Sequence, residues 1–401
     1  LSLTKQATGT LAGPDVKYGD ADWMKANGCN YGGYGWGGLN FVFPHLYNVE
    51  KATSDGGWSA NWKLATGEGL QFRLNVVSCP GMEVNVTDGT SPAGGKPYEM
   101  KWLMLHKQAQ EPAKSEVFTI MESFMNAPAV QSVAKLPLSG EDESGFAPAG
   151  CVVNLGARTD YLMAATDPQV VRTAPGDLKF AGRFGLYAEE NGQPVAISLV
   201  GGTEISKGKF GIKIDQPEFR GKIVRVDRQR EVATVAPAPP VVSAIVGQYV
   251  FLVSGGRRQA YKVIAAKAVP AGAELTLDMD SRIGTGQVSG AADFMVKTET
   301  TFTLQRYAYY EGARLVNARG DAEYRINEIR SAVGAMVDRQ AHQDATAAKL
   351  AEQFPRGSWF EVYDYGVGDE VVWPYAVSVK RVGPGAYQVK SPVPVVLNLP
   401  Q

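Results

Sequence analysis

Between Phe360 and Lys380 the chain reads FEVYDYGVGDEVVWPYAVSVK. A strand-like run, a Gly-Val-Gly-Asp turn and a second strand-like run follow one another, with aromatics at Tyr363, Tyr365, Trp373 and Tyr375. Short runs of this kind broken by glycine suit extended chain on a half-buried sheet and leave no room for long helices. The rest of the chain follows the same pattern. Its 45 Gly and 23 Pro are scattered rather than periodic, as expected of many turns between short strands. The expected fold class is mostly β: antiparallel β-sandwich domains, a small barrel-like β insertion, and one short helix near 340–353.

Four segments organise the chain. Residues 1–136 read as an antiparallel β-sandwich part. Within it WKLATGEGLQFRLNVVSC, 62–79, is a hairpin with alternating Leu70, Phe72, Leu74 and Val76. The acidic, turn-prone stretch from Leu138 to Gly145 marks a boundary, and 137–235 reads as the first part of a second sandwich. There Glu190-Asn191-Gly192 is a tight-turn signal, since Asn and Gly tolerate positive φ. Ala236-Pro-Ala-Pro-Pro240 is a stiff connector, and 241–320 reads as the barrel-like insertion. Residues 321–401 hold the helix and the closing strands. Ala347, Leu350, Ala351 and Phe354 fall at helical spacing before Pro355 and Gly357. The apolar stripe extends back through Ile326, Ile329, Val333 and Met336. The helix is expected to brace a sheet. No internal repeat occurs at a fixed period.

Lys plus Arg number 40 against 41 Asp plus Glu, a balance that argues against nucleic acid as the main partner. A local basic patch facing an acidic glycan stays open, and Arg257-Arg258 and Arg225-Val-Asp-Arg-Gln-Arg230 are the densest basic spots. The second fits an exposed strand of alternating charge equally well. No apolar run approaches the ~18 residues of a membrane span. Cys29, Cys79 and Cys151 are too few and dispersed for a disulfide framework, and fit small buried apolar side chains. Being odd in number, they leave at least one thiol free or paired between chains. Asn85-Val86-Thr87 matches the glycosylation sequon, a short and weakly informative match.

Few residues are placed to do chemistry. The three His, at 45, 106 and 342, have no second His or Cys at ligand spacing. No metal site, cofactor or catalytic set is expected. Asp278-Met279-Asp280, and Tyr363-Asp364-Tyr365 with Asp369-Glu370, offer oxygen ligands without the spacing of a calcium loop, and acidic turn residues are the simpler reading. The segment from Asn30 to Gly38 is rich in Gly and aromatics. Tyr31, Tyr34 and Trp36 are its candidate carbohydrate-binding residues, and on an extended strand Tyr34 and Trp36 share a face. Flat exposed rings stack on sugars, while rings in strands also fill cores and interfaces.

Three stretches carry a family resemblance: GTLAGPDVKYGDADWMKANGCNYGGYGWGGLNF at 9–41, GRFGLYAEENGQPV at 182–195, and YDYGVGDEVVWPYAVSV at 363–379. In this order they resemble the C-terminal β-sandwich part of heparinase II/III-like polysaccharide lyases. The helical catalytic toroid and the His-bearing strands of that family have no counterpart here, and the chain opens on Leu1. The resemblance therefore implies the β-rich back half of a secreted, periplasmic or cell-surface lyase. Such a lyase acts on acidic, uronate-containing glycans by β-elimination, and this half lacks the catalytic residues. Its expected partners are an acidic polysaccharide and either the missing N-terminal half or further copies of itself. A non-catalytic structural or assembly subunit (an oligomer, filament or surface layer) or a glycan-binding module is the alternative.

Overall fold

Strands dominate because short apolar alternations meet glycine turns throughout. The computed structural model describes residues 4–5, 46–54, 56–64, 67–77, 81–91, 98–107, 117–140, 146–299, 307–330 and 333–399. The expected mostly β class holds, with antiparallel sheets, barrel closure and one short α-helix among the described residues. The chain divides into two units. The first holds 1–167, 172–178 and 186–195; the second holds 168–171, 179–185 and 196–401.

In the first unit, Trp58–Lys63, Gln71–Val76 and Thr119–Phe124 form a three-stranded sheet. The turn between the first two strands uses Gly67 and Gly69, both at positive φ, as the expected hairpin requires. Leu46–Ser54, Met82–Ser91 and Tyr98–Lys107 belong to a four-stranded sheet. Trp58 and Val76 from one sheet and Val84 from the other share a core with Leu74, Leu103 and Leu105. Burial of these side chains is the main force holding the two sheets together. The sequon lies inside this arrangement: Asn85 is 2% and Thr87 1% exposed, so the site is closed to glycosylation in the folded chain. Cys151 is likewise buried, and burial pushes its thiol pKa up to about 11.

The Asn191-Gly192 turn between Phe184–Glu190 and Gln193–Val200 has φ of 50° and 74°, the two positive values of a tight hairpin.

The second unit contains two closed six-stranded barrels. The first comprises Glu218–Asp227, Val232–Ala236, Tyr249–Ser254, Arg257–Val269, Gly272–Leu277 and Glu370–Pro374. The second comprises Arg282–Ala292, Met295–Thr298, Arg314–Asn317, Glu323–Arg330, Gly334–Val337 and Trp359–Tyr363. With the strands of each counted along the chain, both barrels run first, second, fifth, fourth, third, sixth around the wall. In both, a 3-10 turn precedes the third strand, at Val242–Ile245 and at Tyr307–Tyr310. The whole second barrel is inserted between the fifth and sixth strands of the first. The architecture therefore repeats, nested instead of serial, which is why no fixed period is visible in the sequence.

Three sequence expectations change here. The proline-rich 236–240 segment runs between two strands of the same first barrel. The stripe Ile326, Ile329, Val333, Met336 is not helix: Glu323–Arg330 and Gly334–Val337 are paired strands, with a bulge between Ile326 and Glu328 that keeps both isoleucines buried. Barrel closure extends beyond the single expected insertion. The helix itself, Ala347–Gln353, forms as expected behind the N-cap Thr346. Leu350 and Phe354 enter the core of the second barrel, beside Val288, Leu315, Tyr324 and Phe360.

Candidate functional site

The segment from Phe360 to Lys380 carries the connection between the two barrels. Trp359–Tyr363 closes the second barrel and Glu370–Pro374 closes the first, and the two strands do not pair with each other. Residues 364–369 between them therefore cross from one barrel to the other, and 278–281 make the opposite crossing.

A hydrogen-bonded ionic network is built on that crossing. Asp364 receives the Arg257 guanidinium on one oxygen and the Tyr261 hydroxyl on the other, and its backbone N–H donates to the Ser281 carbonyl at 2.9 Å. Asp369 takes a forked contact from Arg314, with Nε at 3.1 Å, and a longer one from Arg325 at 3.5 Å. The Gly366 N–H adds a third donor at 2.7 Å. Asp369 and Arg314 have side chains 0% and 6% exposed, so the pair is out of water. Arg228 donates to the Tyr365 carbonyl at 2.6 Å and to Glu323 at 3.3 Å. Its guanidinium also lies 4.2 Å from the Tyr363 ring centre and 5.2 Å from that of Tyr365.

Glycine makes this approach possible. A side chain at Gly366 would strike Glu323, and one at Gly312 would strike the Ser254 carbonyl.

Protonation follows from burial. Tyr261 is pushed far up by desolvation and then by Asp364, and Tyr365 is pushed up to about 12, mainly by burial. Tyr363 rises through burial and its bond to Glu361. Glu231 also rises through burial, beside the Ser281 N–H that it accepts at 3.2 Å. The tyrosines thus keep their protons near neutrality, and both aspartates have their oxygens occupied by fixed donors. A general base needs an accessible lone pair within reach of a substrate proton. Asp364 and Asp369 offer none, and the arrangement fastens one barrel to the other.

Asp364 and Asp369 do lie in the turn between two strands, as expected, but they are buried there, and guanidinium groups take the positions a cation would need. Asp278 and Asp280 do sit on an exposed connection. Among the described residues, no group of three or more His, Cys, Asp or Glu is placed to hold a metal ion. The basic spots resolve differently from one another. Arg257 is buried against Asp364 and Arg228 is absorbed between tyrosines, whereas Arg225, Arg230 and Arg258 are exposed, the last over the Phe251 ring at 4.0 Å. His342 is half-buried and accepts the Arg325 N–H, whereas His106 is exposed near Glu83. His45, Cys29, Cys79 and the candidate sugar-binding residues Tyr31, Tyr34 and Trp36 lie outside the described residues. Of the tryptophans described in the first unit, Trp58 is core, Trp62 is half-buried and Trp102 is 39% exposed.

A second feature escaped the sequence reading. Gln216, Glu218 and Arg220 alternate along one face at the start of the first barrel and border a cavity of about 430 Å³ with Pro237, Pro240 and Tyr375. Their i, i+2, i+4 spacing was the available signal. Nothing in the sequence shows that the proline segment folds back over them.

Among the described residues, no helix is long and apolar enough to cross a membrane. No family model matches the chain, and no curated protein matches it significantly. Fold and site together define a mostly β protein built on two nested six-stranded barrels fastened through buried ion pairs.

Proposed function

We propose that the chain is a non-catalytic structural or assembly module whose paired barrels present a fixed surface to further copies of itself or to a partner chain. The observation that carries the reading is the junction, where every oxygen of Asp364 and Asp369 is taken by a fixed donor. The densest constellation of buried ionic groups among the described residues is occupied in joining barrel to barrel. Open strand edges add support: Ala386–Lys390 and Val396–Asn398 each end a sheet, and Val389 and Val396 are 40% and 62% exposed. Such edges can accept a strand from another chain. A role as the β-rich part of a heparinase II/III-like lyase on acidic glycans is the competing proposal.

Two measurements on the purified chain separate them. Sedimentation is expected to show species heavier than the 43.1 kDa chain, and incubation with heparin or alginate is expected to give no unsaturated uronate. A strict monomer overturns the assembly role, and turnover of either glycan establishes the lyase.

A further inference from the structure

We propose that the exposed half of the three-stranded sheet in the first unit is the surface through which two copies of this chain pair face to face. The proposal rests on the assembly reading and gives that assembly one defined contact.

The alternation of the three strands makes the face. Across the sheet Trp58 stands beside Val76 and Thr119, Ala60 beside Leu74 and Met121, and Trp62 beside Phe72 and Ser123. Residues paired on a ladder share a side, and every second residue along a strand returns to it. Leu64 and Leu70 extend the pattern by one rank, joined by the Leu64 N–H to the Leu70 carbonyl at 3.0 Å. Lys63, Arg73 and Glu122 alternate onto the opposite side. This face is therefore apolar apart from Thr119 and Ser123, and it carries no charge.

The covering sheet stops short of its end. Trp58, Val76, Ala60 and Leu74 pack against Val84, Leu103 and Leu105. Beyond them the same face is open: Met121 is 66%, Met125 59% and Leu64 45% exposed, and Trp62, Leu70 and Phe72 are half-buried. Folded monomers rarely expose a contiguous apolar surface of more than a few hundred Å², and larger ones mark contact sites. The Trp62 and Phe72 rings lie 5.8 Å apart at 40°, so an aromatic platform is set before a partner arrives.

The face itself selects the occupant. What covers it must be flat, apolar and uncharged, and a second copy presents the same surface. Two such faces meet without like-charge repulsion and continue the sheet-on-sheet packing that already buries their other half. Met121 and Met125 are unbranched and adjust to each other across a two-fold contact. Pairing withdraws on the order of 900 Å² from water, near the lower bound of a specific interface, so the pair is weak and forms at micromolar concentration or above.

Sedimentation combined with oxidative footprinting of methionine, on the full chain at rising concentration, tests the contact. A species of twice the 43.1 kDa chain is expected to grow in. Oxidation of Met121 and Met125 is expected to slow several-fold with it, while Met279, 53% exposed in the second unit, reacts at a constant rate. Met121→Lys is expected to weaken pairing by about tenfold or more, and Ser59→Lys, exposed on the opposite side of the sheet, to leave it unchanged. The footprint needs no substitution, so it decides the question even if a variant folds poorly. A heavier species whose Met121 and Met125 oxidise at the monomer rate overturns this contact and leaves the assembly reading standing, as does pairing indifferent to Met121→Lys. A strict monomer overturns both: methionines that react freely leave the face to a different partner, and methionines that stay shielded assign it to another segment of this chain.

Discussion

Asp369 is held between two arginines and a glycine N–H, and its contribution to the fold depends on all three. Desolvating an ion pair costs nearly what its attraction returns, so removing one partner is far worse than removing both. Asp369→Asn leaves Arg314 buried without its counter-charge and is expected to cost about 3–5 kcal/mol in denaturant unfolding. Arg314→Met combined with Asp369→Leu is expected to cost distinctly less, and a larger loss in the double variant refutes this account. His342 makes a second residue-scale expectation. Its Nε2 accepts the Arg325 N–H at 3.0 Å, a bond that only the neutral ring can make. Burial, and after it Arg314, lowers its pKa, against smaller opposing pulls from Asp338 and Asp344. The unfolded chain therefore binds the proton first. Stability from this group is complete above about pH 6.5 and is lost as pH falls toward the depressed folded value, at no more than about 1.4 kcal/mol per pH unit. His342→Gln is expected to flatten that part of the stability–pH curve, and an unchanged slope between pH 6.5 and 5 contradicts it.

At the scale of elements, the helix Ala347–Gln353 is too short to persist without tertiary contacts. Thr346 caps it by accepting the Lys349 N–H at 3.3 Å, while Leu350 and Phe354 anchor it in the second barrel. Thr346→Ala is expected to cost about 1 kcal/mol and Leu350→Ala about 3 kcal/mol, read from thermal or denaturant melts. If the cap proves as important as the anchor, the helix is held by its own backbone instead of by the barrel. This element was legible because its spacing and the terminating Pro355 and Gly357 are all local. The hairpins at Gly67–Gly69 and Asn191-Gly192 were legible for the same reason, since positive φ leaves a mark on residue choice. Ile326 and Ile329 misled because a bulged strand can place apolar residues three apart, at what looks like helical spacing. The junction was harder still. Asp364 and Asp369 look like turn acids until Arg257 and Arg314, more than fifty residues earlier, are brought against them by barrel closure. The Glu218 cavity was legible only in its alternation.

Nesting sets how the whole second unit comes apart. Arg282 and Tyr363, the two ends of the second barrel, face each other on one ladder, so the inserted barrel leaves and re-enters the first at a single place. While it stays folded, the sixth strand of the first barrel is delivered to its neighbours by a short span. Once it unfolds, residues 278–369 become one long loop that the first barrel must close against chain entropy. That cost grows as about (3/2)RT ln n, a few kcal/mol for a loop of this size. The lost Arg257–Asp364 and Arg314–Asp369 pairs add to it, because each leaves a partner stranded at the junction. Opening the second barrel should therefore open the first, whereas two serial domains would melt apart. Hydrogen exchange followed by mass spectrometry reads each barrel separately, through peptides covering Leu252 and Val371 in the first and Leu315 and Val362 in the second. The expected result is one shared opening free energy for the core amides of both barrels, falling together in Asp369→Asn. Protection persisting in the first barrel under conditions where the second has fully exchanged would show that the two barrels unfold independently.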